Sequence, residues 1–458
     1  MKINPIDVHF DPASVADPNG RVFWWQGEAY RGITSESSEF YKLLFENGTI
    51  DKLVIAGLIH TERTNLSLDG FDLVLRHRTL TFRSLPFEWS QEMFRDAAIL
   101  TCDFNIKLSS YGLALQDMHA WNVMFDGSHP KFIDFCSIVP ETDSRRKNIA
   151  CYYEFIDNFI CPLYLMVAGH NKFVRMSLLD PDEGIGRNDI KNLFPFLNQV
   201  FFKFKIFINK PSAIISNNQS LRSLRKSVSA IRFYDKVVKD SGDDCGESQP
   251  RNSNSCDSTR EYVSEIIFNA SPKNLVVVGS DALIYAKIAA DLGIPSTVLE
   301  NDEALVDAIY RRASKDKLPV LSLVVDVVNP WPACIGHAHN QFFPPSWNRL
   351  RGDMVLAMGV VYELAHDKGL GFEEIVSILS RFSGNYLIVE FIEDVIITAN
   401  ELDINLLDWY SLSGFVGALS NAYCKVDILP YSIPQRKLIL CERKSGAESL
   451  VDIRDASP

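Results

Sequence analysis

Two rhythms of apolar residues run along the chain. From Asn274 onward, short and nearly unbroken apolar runs recur: Asn274-Leu275-Val276-Val277-Val278-Gly279, Ser296 to Glu300, Val320 to Asp326, Asp353 to Met358 and Tyr386 to Phe391. Helical-period segments stand between them, at Ala282 to Leu292 and Glu303 to Ala313. Strands that are apolar on both faces and alternate with helices predict a parallel sheet covered on both sides, the doubly wound α/β pattern. A helix near Trp409 to Cys424 and two closing runs, Val426 to Leu429 and Lys437 to Leu440, complete it, and the closing pair reads as antiparallel.

The earlier half has a mixed α+β pattern. It predicts a strand at Arg21 to Trp25, continuing through Glu28-Ala29-Tyr30-Arg31, and a helix at Ser37 to Glu46 that Asn47-Gly48 ends. Strand-like runs follow at Phe71 to Leu75 and Leu80 to Phe82. After Pro86 a helix is predicted from Trp89 to Leu108, with Met93, Ala97, Leu100 and Phe104 at helical spacing. Aromatic-rich helical stretches run from Tyr152 to Met166 and from Ile190 to Phe207.

Between the halves, Ser241 to Ser258 contains no Val, Ile, Leu, Met or aromatic residue. Such a stretch buries too little apolar surface to offset its ordering entropy, so a disordered linker is expected over 241–258. The expected organisation is a domain at 1–240, that linker, a second domain at 259–445, and a polar tail at 446–458. The net charge of -12 gives no basic surplus to release counterions from a phosphate backbone, so nucleic acid is not an expected partner. No apolar run reaches the roughly 18 residues of a membrane helix and the N-terminus lacks a secretory apolar region, so no membrane partner and a cytoplasmic location are expected. The 9 cysteines are odd in number and form no CxxC, which fits neither a disulfide framework nor a zinc ribbon.

Two constellations carry candidate chemistry. In the first half, Asp117 is followed five residues later by Asn122, and twelve residues after that by Asp134-Phe135. This spacing resembles the catalytic and metal loops of protein kinases and aminoglycoside phosphotransferases. That resemblance implies that Asp117 would orient or deprotonate an acceptor hydroxyl, while Asn122 and Asp134 would hold Mg²⁺ on nucleotide phosphates. Gln116 and Cys136 depart from the pattern, and the upstream region offers neither a Gly-rich loop nor a VAIK-type lysine. A kinase-like domain with weak or absent Mg-ATP binding and negligible turnover is therefore expected.

In the second half, the segment resembles the class I S-adenosylmethionine (SAM)-dependent methyltransferases, whose cofactor lies at the C-terminal ends of the first strands. Gly279 is the one glycine left in the first loop. The resemblance implies that Glu300, with Asp302 close behind, would grip the ribose hydroxyls, and that Asp326 would contact the adenine. The run from Gly359 to His366 takes the substrate side. His337 and His339 alternate on a loop without a third ligand nearby, so they are expected to be surface residues. Trp331, Trp347 and Phe342-Phe343 would either line a substrate mouth or cap the sheet.

Together the two constellations resemble a bacterial group of fused proteins, class I methyltransferases with an N-terminal kinase-like region, over roughly residues 20 to 445. Within the group the similarity is to rhizobial host-specific nodulation proteins, which implies methylation of a Nod-factor precursor or another small molecule or saccharide. A non-catalytic regulatory protein built from degenerate enzyme domains and a phosphotransferase using Asp117 are the alternatives. Oligomeric state is not legible. Limited proteolysis is expected to cut first within 241–258 and to release two folded fragments; a chain resistant there would refute the domain split.

Overall fold

The structure, a computed structural model, describes residues 1–15, 17–141, 147–181, 184–186, 218–233, 253–279, 281–336, 341–393, 408–430 and 435–443. The fold is mixed α/β, in two compact units. Unit 1 comprises Met1–Lys236, Glu303–Ser314 and Pro332–Pro345; unit 2 comprises Val237–Asp302, Lys315–Trp331 and Ser346–Pro458. Two short segments of the expected second domain thus belong to unit 1.

Unit 1 opens with an antiparallel sheet of five strands: β1 (His9–Phe10), β2 (Gly20–Trp25), β3 (Glu28–Ile33), β4 (Thr61–Arg63) and β5 (Leu73–His77), in the order β1-β2-β3-β5-β4. β2 and β3 meet through a two-residue turn, Gln26-Gly27, with φ of 52° and 78°. Positive φ at both positions matches the twist of the flanking strands. Helices α1 (Ser35–Glu46) and α2 (Thr49–Ile55) stand between β3 and β4. The run Leu80 to Phe82 is not a strand. Phe82 is buried there without a ladder, so its apolar character serves packing alone.

Helix α3 (Gln91–Ser109) follows, its first turn capped by the Ser90 hydroxyl, which accepts from the Met93 amide at 3.5 Å. Met93, Ala97 and Phe104 are fully buried along it. Phe104 stacks on Phe132 with ring centroids 5.0 Å apart, which fixes α3 behind the short strands β6 (Leu113–Leu115), β7 (Val123–Asp126), β8 (His129–Phe132) and β9 (Ile138–Pro140). The stretch read as one helix from Tyr152 to Met166 is α4 (Lys147–Phe155), a π-helical turn (Ile156–Ile160) and α5 (Cys161–Val167). Helices α6 (Asn171–Ser177) and α7 (Asn218–Ala230) complete the run. The predicted helix at 190–207 and the polar tail at 446–458 lie outside the described residues, as does 241–252 of the expected linker. Its last residues, 253–258, are helical and begin α8 (Ser253–Ala270), a correction to the disordered reading.

Unit 2 is built on a sheet of seven strands: β10 (Leu275–Gly279), β11 (Ser296–Glu300), β12 (Val320–Val324), β15 (Gly352–Met358), β16 (Ser383–Ile392), β17 (Lys425–Leu429) and β18 (Arg436–Glu442). The intervening pair β13 (Cys334–Gly336) and β14 (Gln341–Phe343) is a separate hairpin of unit 1. The order is β12-β11-β10-β15-β16-β18-β17, with the first five strands parallel and β18 antiparallel between β16 and β17. The doubly wound expectation holds, and the closing pair is antiparallel. Along the chain, helices α9 (Ala282–Asp291) and α10 (Glu303–Asp316) follow β10 and β11; α11 (Ser346–Arg349), α12 (Val360–His366), α13 (Phe372–Phe382) and α14 (Leu412–Ala422) come after β12. The strand order runs one way from β10 to β12 and the other way from β15 to β16, so the topological switch lies at the C-terminal ends of β10 and β15.

Alternation along β16 sends Phe391 against Phe372 and Phe415, of α13 and α14, and Glu390 to the other face. Glu390 is buried and takes both of its oxygens to Arg436 of β18, at 3.0 and 3.1 Å. Removing one partner of a buried pair strands the other charge, at a cost of about 3 kcal/mol. Glu390→Ala should therefore lower the urea midpoint for hydrogen exchange in β16 and β18, and Glu390→Gln should lower it less.

Candidate functional site

The switch point of unit 2 gathers three of the expected residues. Gly279 ends β10, Glu300 ends β11, and Asp326 follows β12, on three neighbouring parallel strands. Gly279 has φ of 91°, and a Cβ there would lie 2.3 Å from both the Met358 carbonyl oxygen and Val360 Cγ2. The glycine is thus demanded by the close approach of β10 to the end of β15. Asp281, two residues on, also has positive φ, 59°, a conformation that suits glycine and costs an aspartate.

Glu300 is half-buried. Its Oε1 accepts from the amides of Asn301 at 2.7 Å and Asp302 at 2.9 Å, which leaves Oε2 without a partner among the described residues. Burial pushes this carboxyl up, the two amides pull it down, and the nearby Glu363 and Asp302 carboxylates raise it further. A carboxylate fixed at one oxygen and open at the other suits the two hydroxyls of a ribose. Asp302 is exposed. Asp326 caps its own turn: Oδ1 accepts from the Val328 amide at 2.9 Å and Oδ2 from Asn329 Nδ2 at 3.4 Å. Trp331 donates from Nε1 to the Val324 carbonyl at 3.1 Å, so it packs back on β12, and Trp347 lies on α11.

In unit 1, Asp117, Asn122 and Asp134 lie on adjoining loops. The Ile133 amide donates to the Asn122 carbonyl at 2.9 Å, and Asn122 Nδ2 reaches the Asp117 carbonyl at 3.4 Å. Sequence reasoning missed four neighbours. Ser137 Oγ accepts from the amides of Gln116 and Asp117 at 3.2 and 3.1 Å. Glu154 Oε2 accepts from the Met118 amide at 2.7 Å. Arg31, on β3, donates to Asp17 at 2.6 Å and lies 3.5 Å from Asp134. The signal for Arg31 was its position after Ala29-Tyr30 on the third strand, which a search for lysine passes over. Burial pushes Asp134 up despite Arg31, with Asp17 and Asp117 adding to the rise, and burial pushes His119 down against the attraction of Asp117 and Asp134. Among the described residues, no group of three or more His, Cys, Asp or Glu side chains is placed to hold a metal ion. His337 and His339 lie outside the described residues. Phe343 lies on β14, in unit 1, where it packs on Trp121. No helix of the described residues is long and apolar enough to cross a membrane.

No protein-family model matches the sequence. The chain is 24% identical to nodulation protein NoeA of Rhizobium meliloti (strain 1021) over 414 residues, 83% of this chain and 84% of that protein. The similarity spans most of both chains. Among solved structures, the magnesium protoporphyrin IX methyltransferase ChlM from Synechocystis PCC 6803 with bound SAH is 10% identical, with 56% of this chain and 99% of that chain covered, at a TM-score of 0.32. The bifunctional kinase-methyltransferase WbdD is 11% identical over 43% of this chain and 40% of that chain, at a TM-score of 0.30.

Burial pushes the Glu154 carboxyl up to about 7, against the pull of the Met118 amide. A carboxyl raised from its ordinary value near 4.5 contributes stability in full below that value and loses it as pH rises through 7. Glu154→Gln keeps an acceptor for the amide and cannot ionise. The fall in melting temperature between pH 5 and pH 8 should therefore be smaller in this variant than in the parent chain.

Proposed function

We propose that unit 2 is a SAM-dependent methyltransferase module whose cofactor lies over the C-terminal ends of β10, β11 and β12. The observation that carries this reading is Glu300, fixed at one oxygen by two amides and open at the other, at the switch point of a doubly wound sheet. Glu300 would hold the ribose hydroxyls. Asp326 would contribute less to the adenine, since both of its oxygens already serve its own turn. The Gly279 loop would pass the methionine end, and Asp302 would border the ribose. SAM supplies a methyl group already activated on a sulfonium, so the chain's task is to bind and orient the acceptor rather than to provide a strong base. The acceptor we propose is a small molecule or saccharide. The similarity to nodulation protein NoeA supports a role in nodulation; we propose that this role is host-specific and cytoplasmic, with a Nod-factor precursor or another signal molecule as substrate.

For unit 1 we propose a non-catalytic binding or regulatory role, with phosphoryl transfer through Asp117 as the alternative; Arg31, the cation on β3, already holds the Asp17 carboxylate. Asn122 Nδ2 donates to the Asp117 carbonyl at 3.4 Å, a bond that does not engage the side-chain oxygen a metal would take.

Calorimetric titration with SAM and its demethylated product tests the first reading. A charge-assisted pair lost at the ribose costs about 1.5–3 kcal/mol, so Glu300→Ala should weaken SAM binding roughly 10–150-fold. Absence of affinity for either ligand at millimolar concentration would sink methyl transfer and leave unit 2 a scaffold.

A further inference from the structure

The loop between β1 and β2 in unit 1 stands where kinase-like topologies place a glycine-rich cover over nucleotide phosphates. Here Asp11 to Asn19 contains no glycine. The loop is fastened from both sides. On the inside, the Asp17 carboxylate accepts from Arg31 Nη1 at 2.6 Å, with the two side chains 17% and 6% exposed. On the outside, the Ala13 carbonyl accepts from Gln341 Nε2 at 3.0 Å. Asn19 adds a third tie, accepting at Oδ1 from the Ser37 hydroxyl at 2.8 Å.

Gln341 and Phe343 are two residues apart on β14 and so face the same way. Phe343 packs on Trp121 with ring centroids 4.4 Å apart. Trp121 sits between Asp117 and Asn122, so one short strand touches both the cover loop and the loop that carries the catalytic-type carboxylate. The charges agree with this arrangement. A phosphate-bearing ligand needs an open cation, yet Arg31 already has Asp17, and Asp134 lies 3.5 Å from its second nitrogen.

We infer that unit 1 holds its own cleft shut: Asp17 occupies the cation that an oligophosphate would require, and the β13–β14 hairpin straps the β1–β2 loop to the Asp117–Asn122 loop. The inference concerns unit 1 alone and stands whether or not unit 2 transfers methyl groups.

The test uses the full chain with two variants. Asp17→Asn keeps the shape of the side chain and removes its charge, while Arg31 retains Asp134 as a counter-charge. Gln341→Ala with Phe343→Leu loosens the strap without touching Arg31. Tripolyphosphate and Mg-ATP are the probes for calorimetry, and amide hydrogen exchange reads residues 11–15 and 117–122. The parent chain should give no binding, Asp17→Asn should bind tripolyphosphate at least about tenfold more tightly than the parent, and the strap variant should exchange faster in both loops. Either of two results overturns the inference. One is Asp17→Asn, folded by its melting curve, binding neither probe any better than the parent. The other is unchanged exchange in both loops of the strap variant, with its melting curve intact.

Discussion

There is no room for a side chain where β10 ends. A Cβ on Gly279 would lie 2.3 Å from the Met358 carbonyl, so β10 can run beside β15 to its last residue only because that residue is glycine. The rest of unit 2 follows from this contact. With β10 and β15 adjacent to their ends, the sheet extends in opposite directions from them, and a crevice opens at their C-terminal ends. β11 then brings Glu300 to the same level as Gly279, and the amides of Asn301 and Asp302 fix its carboxylate. The glycine therefore serves the fold first. Its presence alone does not report a cofactor, whereas the open oxygen of Glu300 has no role in the packing of the sheet.

Unit 1 shows the opposite balance. Its polar groups spend their hydrogen bonds on one another. Ser137 holds the Asp117 backbone, Glu154 holds Met118, Asn122 spans its own loop, and Arg31 is neutralised by Asp17. A buried polar network of this kind rigidifies the loops it connects, and each bond so used is withdrawn from a ligand. The residue spacing of a phosphotransferase is present, and the backbone of its loops is held by Ser137, Glu154 and the Asn122 Nδ2 group.

The parallel strands were legible because they are buried on both faces, and burial on both faces writes an unbroken apolar run into the sequence. Ser296 to Glu300 coincides with the strand read from it, and β10 begins one residue into the run read from Asn274 to Gly279. Leu80 to Phe82 shows the limit of the rule: an apolar run of three is as well explained by one buried Phe82 as by a strand. The β13–β14 hairpin was illegible because its strands have three residues each, too few for a period to appear, and its aromatics look like the lining of a site. At the switch point, the position of Glu300 could be read from strand order, but the amide contacts that orient it depend on the turn after β11. In unit 1, Asp117, Asn122 and Asp134 could be read from spacing. Arg31 and Asp17 could not, because their meeting depends on how the β1–β2 loop folds back on β3.

The two candidate sites also differ in the sign of the ligand they can accept. At the switch point, Glu300 is half-buried with Asp302 and Glu363 close enough to raise its carboxyl, so the local field is negative. A ligand carrying a sulfonium relieves that repulsion, and an anionic one would increase it. In unit 1, Asp17, Asp117 and Asp134 lie around Arg31; burial raises the Asp134 carboxyl most, Arg31 opposes it, and Asp17 and Asp117 add to the rise. An anionic phosphate would enter there only by displacing a carboxylate from Arg31. On the proposed reading, the same element, a carboxylate at the end of a strand or loop, would open one unit to a cationic cofactor and close the other to an anionic one. The difference lies in whether the chain itself supplies the counter-charge.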